Sequence, residues 1–265
     1  MPRLDRWVDA ARLSVGTFTR VPVAPPSAVD RVVAGRSMLL SSLVGLGLSA
    51  LGTAVLLMAG TLSERGGTAL LASGLALAVV AWTTGGLHLD GLVDVADALA
   101  SRRAAPDALE IMRRSDVGAL GAATLVLVVL VQASALAVAV GAAVGPMALT
   151  LALVTGRVGA VLACTRGVPA ARPDGLGAAV AGSVPRPASL LSVLVLLTAA
   201  AGWGAASDLS RWWGPVVSVV VGLAAGGLLV RRCVRRLGGV TGDVLGAVVE
   251  VSATAVLVAV ALSVG

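Results

Sequence analysis

Long apolar runs separated by short polar segments dominate the chain. Seven of these runs are long enough to cross a membrane, because about 20 residues of α-helix span a hydrocarbon core of about 30 Å. A segment in lipid must satisfy its own backbone hydrogen bonds, which favours helices over open strands. The pattern therefore predicts an all-α, polytopic integral membrane bundle. The predicted spans are residues 37–60, 68–87, 117–141, 146–164, 188–206, 213–230 and 244–264.

Composition excludes an ordinary soluble protein. Hydrophobic residues make up 57% of the 265 residues, and the mean hydropathy is +0.97, well above the range of soluble domains. We expect a single membrane domain over residues 1–265, in which an interfacial segment (1–35) precedes the transmembrane bundle (37–264). Apolar residues recur at helical spacing between Leu4 and Val15. This spacing predicts a short helix that lies in the membrane interface.

The basic residues, all 20 of them arginine, follow a topological pattern rather than that of a nucleic-acid-binding surface. Seventeen lie before the first span or in the segments after spans two, four and six. Arg65 and Arg211 alone lie on the opposite side, and Arg157 lies within a span. By the positive-inside rule, the N-terminus and the loops 85–116, 165–187 and 231–243 face the cytoplasm and the C-terminus faces outside. We therefore expect a multi-pass plasma-membrane protein whose functional loops are cytoplasmic.

Three carboxylates and the only histidine of the chain follow directly on the second predicted span. Asp90, Asp94 and Asp97 are spaced i, i+4 and i+7, so on a helix they share one face. Three neighbouring carboxylates repel one another unless a cation binds, and Mg²⁺ takes one or two protein carboxylates together with substrate phosphates. With His88 beside them, they predict a Mg²⁺ site where a phosphorylated substrate meets the bilayer. An acidic, solvated helix face is the alternative.

Two ionisable residues lie within predicted spans. Arg157 lies about 12 Å and Glu250 about 10 Å from the cytoplasmic end of its span, at ~1.5 Å per residue. Such residues normally face the bundle interior or a wet cavity. We expect them to pair or to share one polar cavity, although a salt bridge that merely joins two helices would give the same pattern.

Arginines and glycines near the predicted loops offer groups that bind phosphate. Arg113 could hold a phosphate with two hydrogen bonds, but positive-inside charge alone would also place an arginine there. The glycines before Asp243 leave backbone N–H groups free for an anion at a helix N-terminus, whereas a simple N-cap role for Asp243 is the alternative. Gly175 and Gly177 form a second glycine-rich loop.

Taken in chain order, these segments resemble the cobalamin synthase family, the adenosylcobinamide-GDP ribazoletransferases that complete the nucleotide loop of vitamin B12. The resemblance runs almost from end to end. The matching segments are Thr17–Val23, Thr84–Leu92 with Asp94 and Asp97, Ile111–Arg113 with Ser115 and Gly118, Gly175–Gly177, Gly238–Gly239, Thr241–Asp243, Leu245–Ala247 and Glu250.

The resemblance implies a Mg²⁺-dependent transferase. In the implied reaction α-ribazole, or its 5′-phosphate, attacks the cobinamide-bound phosphorus of adenosylcobinamide-GDP and GMP leaves. The resemblance further implies metal ligation by Asp90, Asp94, Asp97 and Asp243, with His88 or one of the aspartates as proton acceptor. Expected partners are these small molecules and membrane lipid, with no nucleic acid and with homo-oligomerisation left open. Implied substrate contacts are Arg20, Arg113, Arg157, Arg172, Gly175, Gly177, Thr241 and Glu250.

Departures from the family's pattern and two alternatives remain at this point, and the exchange of two charges is the departure nearest the predicted site. Where the family usually has an Asp before the Ser and an Arg after it, this chain reads Arg114-Ser115-Asp116, so the two charges are exchanged. A CDP-alcohol phosphotransferase also uses clustered aspartates, but no aspartate stands three residues before Asp90 as its signature requires. A secondary transporter would show paired broken spans and midplane charges. The chain offers only Arg157 and Glu250 at depth.

Overall fold

The computed structural model describes residues 3–61, 68–114, 116–207 and 212–264, and within these ranges the chain forms eleven α-helices. The only β-type pairings in these ranges are two isolated bridges. The helices are α1 (Arg3–Phe18), α2 (Arg31–Thr61), α3 (Ala69–Thr83), α4 (Leu87–Ala100), α5 (Ala105–Ile111), α6 (Ala119–Gly141), α7 (Gly145–Ala163), α8 (Gly175–Val180), α9 (Arg186–Ala206), α10 (Gly214–Leu237) and α11 (Gly242–Val264).

Six helices of the described chain are long and apolar enough to cross a membrane, namely α2, α6, α7, α9, α10 and α11. The bent pair α3–α4 raises the number to seven if the two helices form one span. The prediction of an all-α, multi-pass bundle is thereby confirmed. Its orientation stays a prediction, and Arg65 and Arg211, on which that orientation partly depends, lie outside the described residues.

The second predicted span ends earlier than its apolar run. Helix α3 has 15 residues, about 22 Å at ~1.5 Å per residue, which is less than a full hydrocarbon core. Gly85 and Gly86 then adopt φ values of +67° and +72°, a conformation that favours glycine. The chain bends by 90° there and continues as α4. Helix α4 thus begins directly after the bend and runs in a different direction from α3.

The sixth span is longer than predicted. The sequence analysis places residues 231–243 in a loop, but α10 continues as a helix to Leu237. No proline or glycine interrupts the segment after Val230, so the helix continues until Gly238, which has a φ of +86°. Four arginines of the predicted loop therefore lie on the helix. They are Arg231, Arg232, Arg235 and Arg236.

The N-terminal helix predicted near residues 4–15 is present as α1, which packs against α2. The Arg36 guanidinium lies 4.4 Å from the ring centre of Trp7 and so ties the two helices together. Asp9 accepts hydrogen bonds from the backbone N–H (2.9 Å) and hydroxyl (2.7 Å) of Ser27. These bonds anchor the proline-containing connection between α1 and α2, whereas the interfacial location of α1 stays a prediction.

Helix α7 lies at the centre of the bundle. It is buried over most of its circumference and packs against α2, α10 and α11. Small residues allow the backbones to approach closely, as is common between helices in membranes. A Cβ added at Gly156 would lie 2.7 Å from the carbonyl oxygen of Val249, and one at Gly45 would lie 3.0 Å from that of Leu153. The core is therefore fixed by glycine contacts around α7.

Candidate active site

The turn between α3 and α4 brings the end of α1 beside the predicted acidic cluster. The Arg20 backbone N–H donates to the Thr83 carbonyl at 2.8 Å. The Arg20 side chain then crosses Gly85, where an added Cβ would lie 2.8 Å from its Cγ and Cδ. Its guanidinium lies 5.1 Å from the ring centre of Trp82. Arg20 is thus exposed at the start of α4, where it can reach a bound anion.

Three carboxylates lie near one another where α4 contacts the start of α11. A Cβ added at Gly91 would lie 2.6 Å from the backbone oxygen of Asp243 and 2.9 Å from its Cα, so only glycine permits this approach. The contact places Asp243 beside the face of α4 that carries Asp90 and Asp94. Asp90 is exposed, whereas Asp94 and Asp243 are half-buried. Residues 153 positions apart in sequence therefore lie at one acidic surface, whereas the metal ligation that the resemblance implies for them stays a prediction.

The electrostatics of this surface fit a cation. Burial raises the pKa of the Asp94 carboxyl to about 7, and the neighbouring charges of Asp90, Asp243 and Asp97 raise it as well. A bound cation would relieve this repulsion, and hard cations such as Mg²⁺ prefer carboxylate oxygens. As the side chains stand, no three acidic, histidine or cysteine groups of the described chain converge closely enough to surround a metal ion. The carboxylates would therefore have to rotate towards it.

Asp97 is held differently from the other carboxylates. It accepts hydrogen bonds from the backbone N–H groups of Gly118 and Gly121, each at 2.8 Å. These donors belong to the N-terminus of α6, whose positive dipole end favours a carboxylate. Asp97 thus caps α6 from another helix. Its role as a metal ligand stays a prediction.

A cavity of about 540 Å³ lies next to Asp243 and is lined by arginine and by both glycine loops. Arg172 lines it and donates from Nη2 to the Leu109 carbonyl at 2.5 Å, while its buried Nε has no hydrogen-bond partner among the described residues. Arg113 contacts both carboxylate oxygens of Asp174 at 3.3 Å. The cavity therefore combines cationic donors with an adjacent acidic surface.

The two glycine loops come together at this cavity. A Cβ added at Gly177 would lie 2.7 Å from Thr241 Cα, so α8 packs directly on the loop before α11. Gly175 has a φ of +77° and open space around it. The Thr241 hydroxyl accepts from the Val244 N–H and donates to Asp243 Oδ2, both at 3.2 Å. Thr241 therefore caps α11 and orients the Asp243 carboxylate.

His88 lies on a different side of α4 from the carboxylates. It is 4% exposed, its ring centre is 5.7 Å from that of Phe18, and it lines a second cavity, deeper in the bundle. A role for His88 as the proton acceptor at the acidic surface stays a prediction, but the structure separates it from that surface by the backbone of α4.

Arg157 and Glu250 line the same deep cavity as His88, which agrees with the expectation of a shared polar cavity. The described residues give no direct salt bridge between them. The Arg157 Nη1 instead donates to the Leu153 carbonyl at 3.2 Å, and Glu250 accepts from Gln132 Nε2 at 2.8 Å. Gln132 is a polar residue that the sequence analysis missed. A lone amide in an otherwise apolar span was the available signal.

The exchanged charges lie on the surface. Arg114 and Asp116 are both exposed, and neither lines the two cavities described above. Ser115 between them lies outside the described residues. Their exchange therefore leaves the acidic surface and both cavities intact.

Fold and site together define a multi-pass α-helical membrane protein with an acidic and arginine-lined site at one end of its bundle. Residues 10–261 match the cobalamin-5-phosphate synthase family, and the chain belongs to that family. Relatives named adenosylcobinamide-GDP ribazoletransferase occur in Frankia casuarinae (40% identical, covering 96% of this chain and 95% of the relative) and in a Nocardioides species (41%, covering 95% and 97%). A third is found in Stutzerimonas stutzeri (39%, covering 94% and 96%). No solved structure matches the chain.

Proposed function

We propose that this chain is an adenosylcobinamide-GDP ribazoletransferase that acts in cobalamin biosynthesis, as the names of its relatives suggest. In this reaction a hydroxyl of α-ribazole, or of its 5′-phosphate, forms a bond to the cobinamide-bound phosphorus. The phosphoanhydride bond breaks, and GMP leaves with the electron pair. The observation that carries the proposal is the close approach of Asp243 to α4 at Gly91, next to the helix face with Asp90 and Asp94 and beside a cavity lined by Arg113 and Arg172.

Asp94 and Asp243 would hold Mg²⁺, which takes one or two protein carboxylates and completes its shell with water and substrate phosphates. When bound, Mg²⁺ neutralises the charge of the diphosphate and of the leaving GMP. The arginines would do the rest of the positioning. Arg172 lines the cavity and has a buried Nε without a hydrogen-bond partner among the described residues, and Arg113 can exchange Asp174 for a phosphate oxygen. Arg20, over Gly85, can bind the same group from the α1 side. Catalysis then depends on positioning and on electrostatic stabilisation of the transferred phosphoryl group.

The attacking hydroxyl must lose a proton. We assign its acceptance to Asp90, because this carboxylate is exposed at the acidic surface, whereas His88 is buried in the deeper cavity. A carboxylate within hydrogen-bonding reach of the nucleophile is suited to this role. We further propose that the site faces the cytoplasm from the plasma membrane, since the arginine-rich segments lie at the same end of the bundle.

The test is turnover by the full chain in liposomes supplied with adenosylcobinamide-GDP, α-ribazole 5′-phosphate and Mg²⁺. We expect GMP and a corrinoid product, loss of both on chelation, and recovery when Mg²⁺ is added back. Asp94→Asn should lower kcat by at least about 100-fold, whereas Asp5→Asn, at an exposed position on α1, should leave it unchanged. Metal-independent turnover would overturn the Mg²⁺ assignment. Release of CMP from a CDP-alcohol, with no GMP release, would overturn the substrate assignment.

A further inference from the structure

A third cavity lies beside the candidate active site, between α5, residues 171–173 and the end of α10. We call it the side cavity, and its volume is about 360 Å³. Arg113 and Arg172 line it and also line the larger cavity next to Asp243. Arg172 joins two walls of the side cavity, because its Nη2 donates to the Leu109 carbonyl. The two cavities are therefore adjacent, and one ligand can occupy both.

The walls of the side cavity are mostly apolar. Pro106 and Leu109 line it from α5, and Pro173 lines it from the facing segment. Leu237, which is buried at the end of α10, also lines it. Such walls give a flat ring an apolar surface on which to pack. A cavity of about 150 Å³ holds one benzene molecule, so the side cavity has room for the two fused rings of a purine.

Glu110 is the one carboxylate among the described residues that line the side cavity. It is exposed, and no hydrogen bond or salt bridge to its carboxylate occurs within the described chain. A carboxylate only accepts hydrogen bonds, and its two oxygens can accept from two parallel N–H groups. Guanine presents such a pair, N1–H and the exocyclic NH₂, whereas adenine presents an acceptor at N1. The carboxylate therefore favours guanine over adenine.

The position of the side cavity matches the order of groups in a guanosine diphosphate. With the base beside Glu110, the first phosphate can reach Arg113 and Arg172, which border both cavities. The second phosphate, which carries the cobinamide, then lies towards Asp243. The base of α-ribazole carries no N–H donor once it is joined to its ribose. A carboxylate in the side cavity therefore selects the guanine nucleotide and not the other substrate.

We propose that the side cavity binds the guanine base of adenosylcobinamide-GDP and that Glu110 accepts hydrogen bonds from its N1–H and NH₂ groups. The inference rests on the proposed function, which supplies the guanine nucleotide, and it adds the residue that selects this nucleotide. Glu110 holds the leaving GMP by its base, while the two shared arginines hold it by its phosphate.

The test is equilibrium binding of GMP, AMP and pyrophosphate, each with Mg²⁺, to the full chain in phosphatidylcholine nanodiscs. Wild type should bind GMP at least about tenfold more tightly than AMP. Glu110→Ala removes two hydrogen bonds to a charged group, so it should raise the Kd of GMP at least about tenfold. The Kd values of AMP and pyrophosphate should stay the same or fall, because the loss of a negative charge favours every anion. This opposite sign separates recognition of the base from a purely electrostatic effect.

Two control variants and a filled cavity sharpen the test. Asp107→Ala removes an exposed carboxylate of the same helix that does not line the side cavity and should leave the GMP preference unchanged. Ala105→Leu keeps Glu110 but fills part of the side cavity, so it should raise the Kd of GMP at least about fivefold and leave that of pyrophosphate within about twofold. Ala104→Leu, at an exposed position that does not line the cavity, should change neither Kd.

An unchanged Kd of GMP in Glu110→Ala, or equal weakening of GMP and AMP, would overturn the proposal. A higher KM for α-ribazole 5′-phosphate in Glu110→Ala, with an unchanged Kd of GMP, would overturn it by assigning the side cavity to the other substrate. Wild-type GMP release from adenosylcobinamide-GDP, measured separately, tests the proposed function. A chain without this turnover that still loses its GMP preference in Glu110→Ala would refute the function and keep the guanine site.

Discussion

The Asp97 carboxylate accepts hydrogen bonds from two backbone N–H groups at the start of α6. Two substitutions can therefore distinguish a structural role, capping of α6, from a role as a metal ligand. Asp97→Ala removes both hydrogen bonds, so we expect the free energy of unfolding to fall by about 1–2 kcal/mol. Asp97→Asn keeps an oxygen acceptor. It should retain most of the stability and more than about a third of the activity. Thermal unfolding in detergent and GMP release measure these effects. An asparagine variant that is stable but inactive would instead establish Asp97 as a metal ligand.

Arg113 forms an exposed ion pair with Asp174. In the proposed function Asp174 therefore competes with the substrate phosphate for this arginine. Both side chains are at least half exposed, and such pairs contribute little stability. Asp174→Asn should therefore leave the fold intact and lower the KM for adenosylcobinamide-GDP by about two- to fivefold, with kcat unchanged. Asp107→Asn, also an exposed carboxylate at the site end, is the matched control. A higher KM in the Asp174 variant would show that this carboxylate assists substrate binding.

At the scale of helices, the contact of α4 with α11 depends on Gly91. In Gly91→Ala the added Cβ would lie 2.6 Å from the backbone oxygen of Asp243, so the helices must separate and Asp243 must move away from Asp94. We expect activity to fall by at least about 100-fold. Gly47→Ala on α2 meets open space and should be neutral or slightly stabilising, because alanine favours helix. Full activity in Gly91→Ala would show that Asp243 is not needed beside α4.

Sequence patterns predict the long helices well, because apolar length is a property of each segment alone. The bend after α3 was missed since the apolar run continues through Thr84, whereas two glycines with positive φ decide the geometry. Spacing also placed Asp90 and Asp94 on one face of a helix. It could not reveal that His88 faces another cavity, because that depends on how α4 packs against α11.

The other features that the sequence does not predict are contacts between residues that are far apart in the chain. Gln132 bonds to Glu250, 118 residues away, and nothing near Gln132 in the sequence indicates that contact. Asp97 and Gly118 form another such pair. The sequence therefore identifies the carboxylates and arginines, whereas helix packing decides which of them meet.

At the scale of the whole molecule, the two ends of a membrane-spanning bundle face different compartments, so the orientation of the bundle decides which compartment the site faces. Cys164 and Cys233 are both buried, so a cysteine introduced at a surface position provides the main reactive thiol. Ala104→Cys at the site end should react with an impermeant maleimide in inside-out vesicles, and Ala142→Cys at the opposite end should react in right-side-out vesicles. The reverse labelling would place the site outside the cell and overturn the positive-inside assignment.

Helix α11 follows the ten other helices of the described residues and packs against α4, α6, α7 and α10. It also supplies Asp243 to the acidic surface and Glu250 to the deep cavity. During synthesis, neither site can therefore exist until this helix has left the ribosome and inserted into the bilayer. A nascent or truncated product would be inactive. It would also leave the buried Arg157 without the opposite charge of Glu250 in the same cavity, and an uncompensated charge within a membrane span is costly.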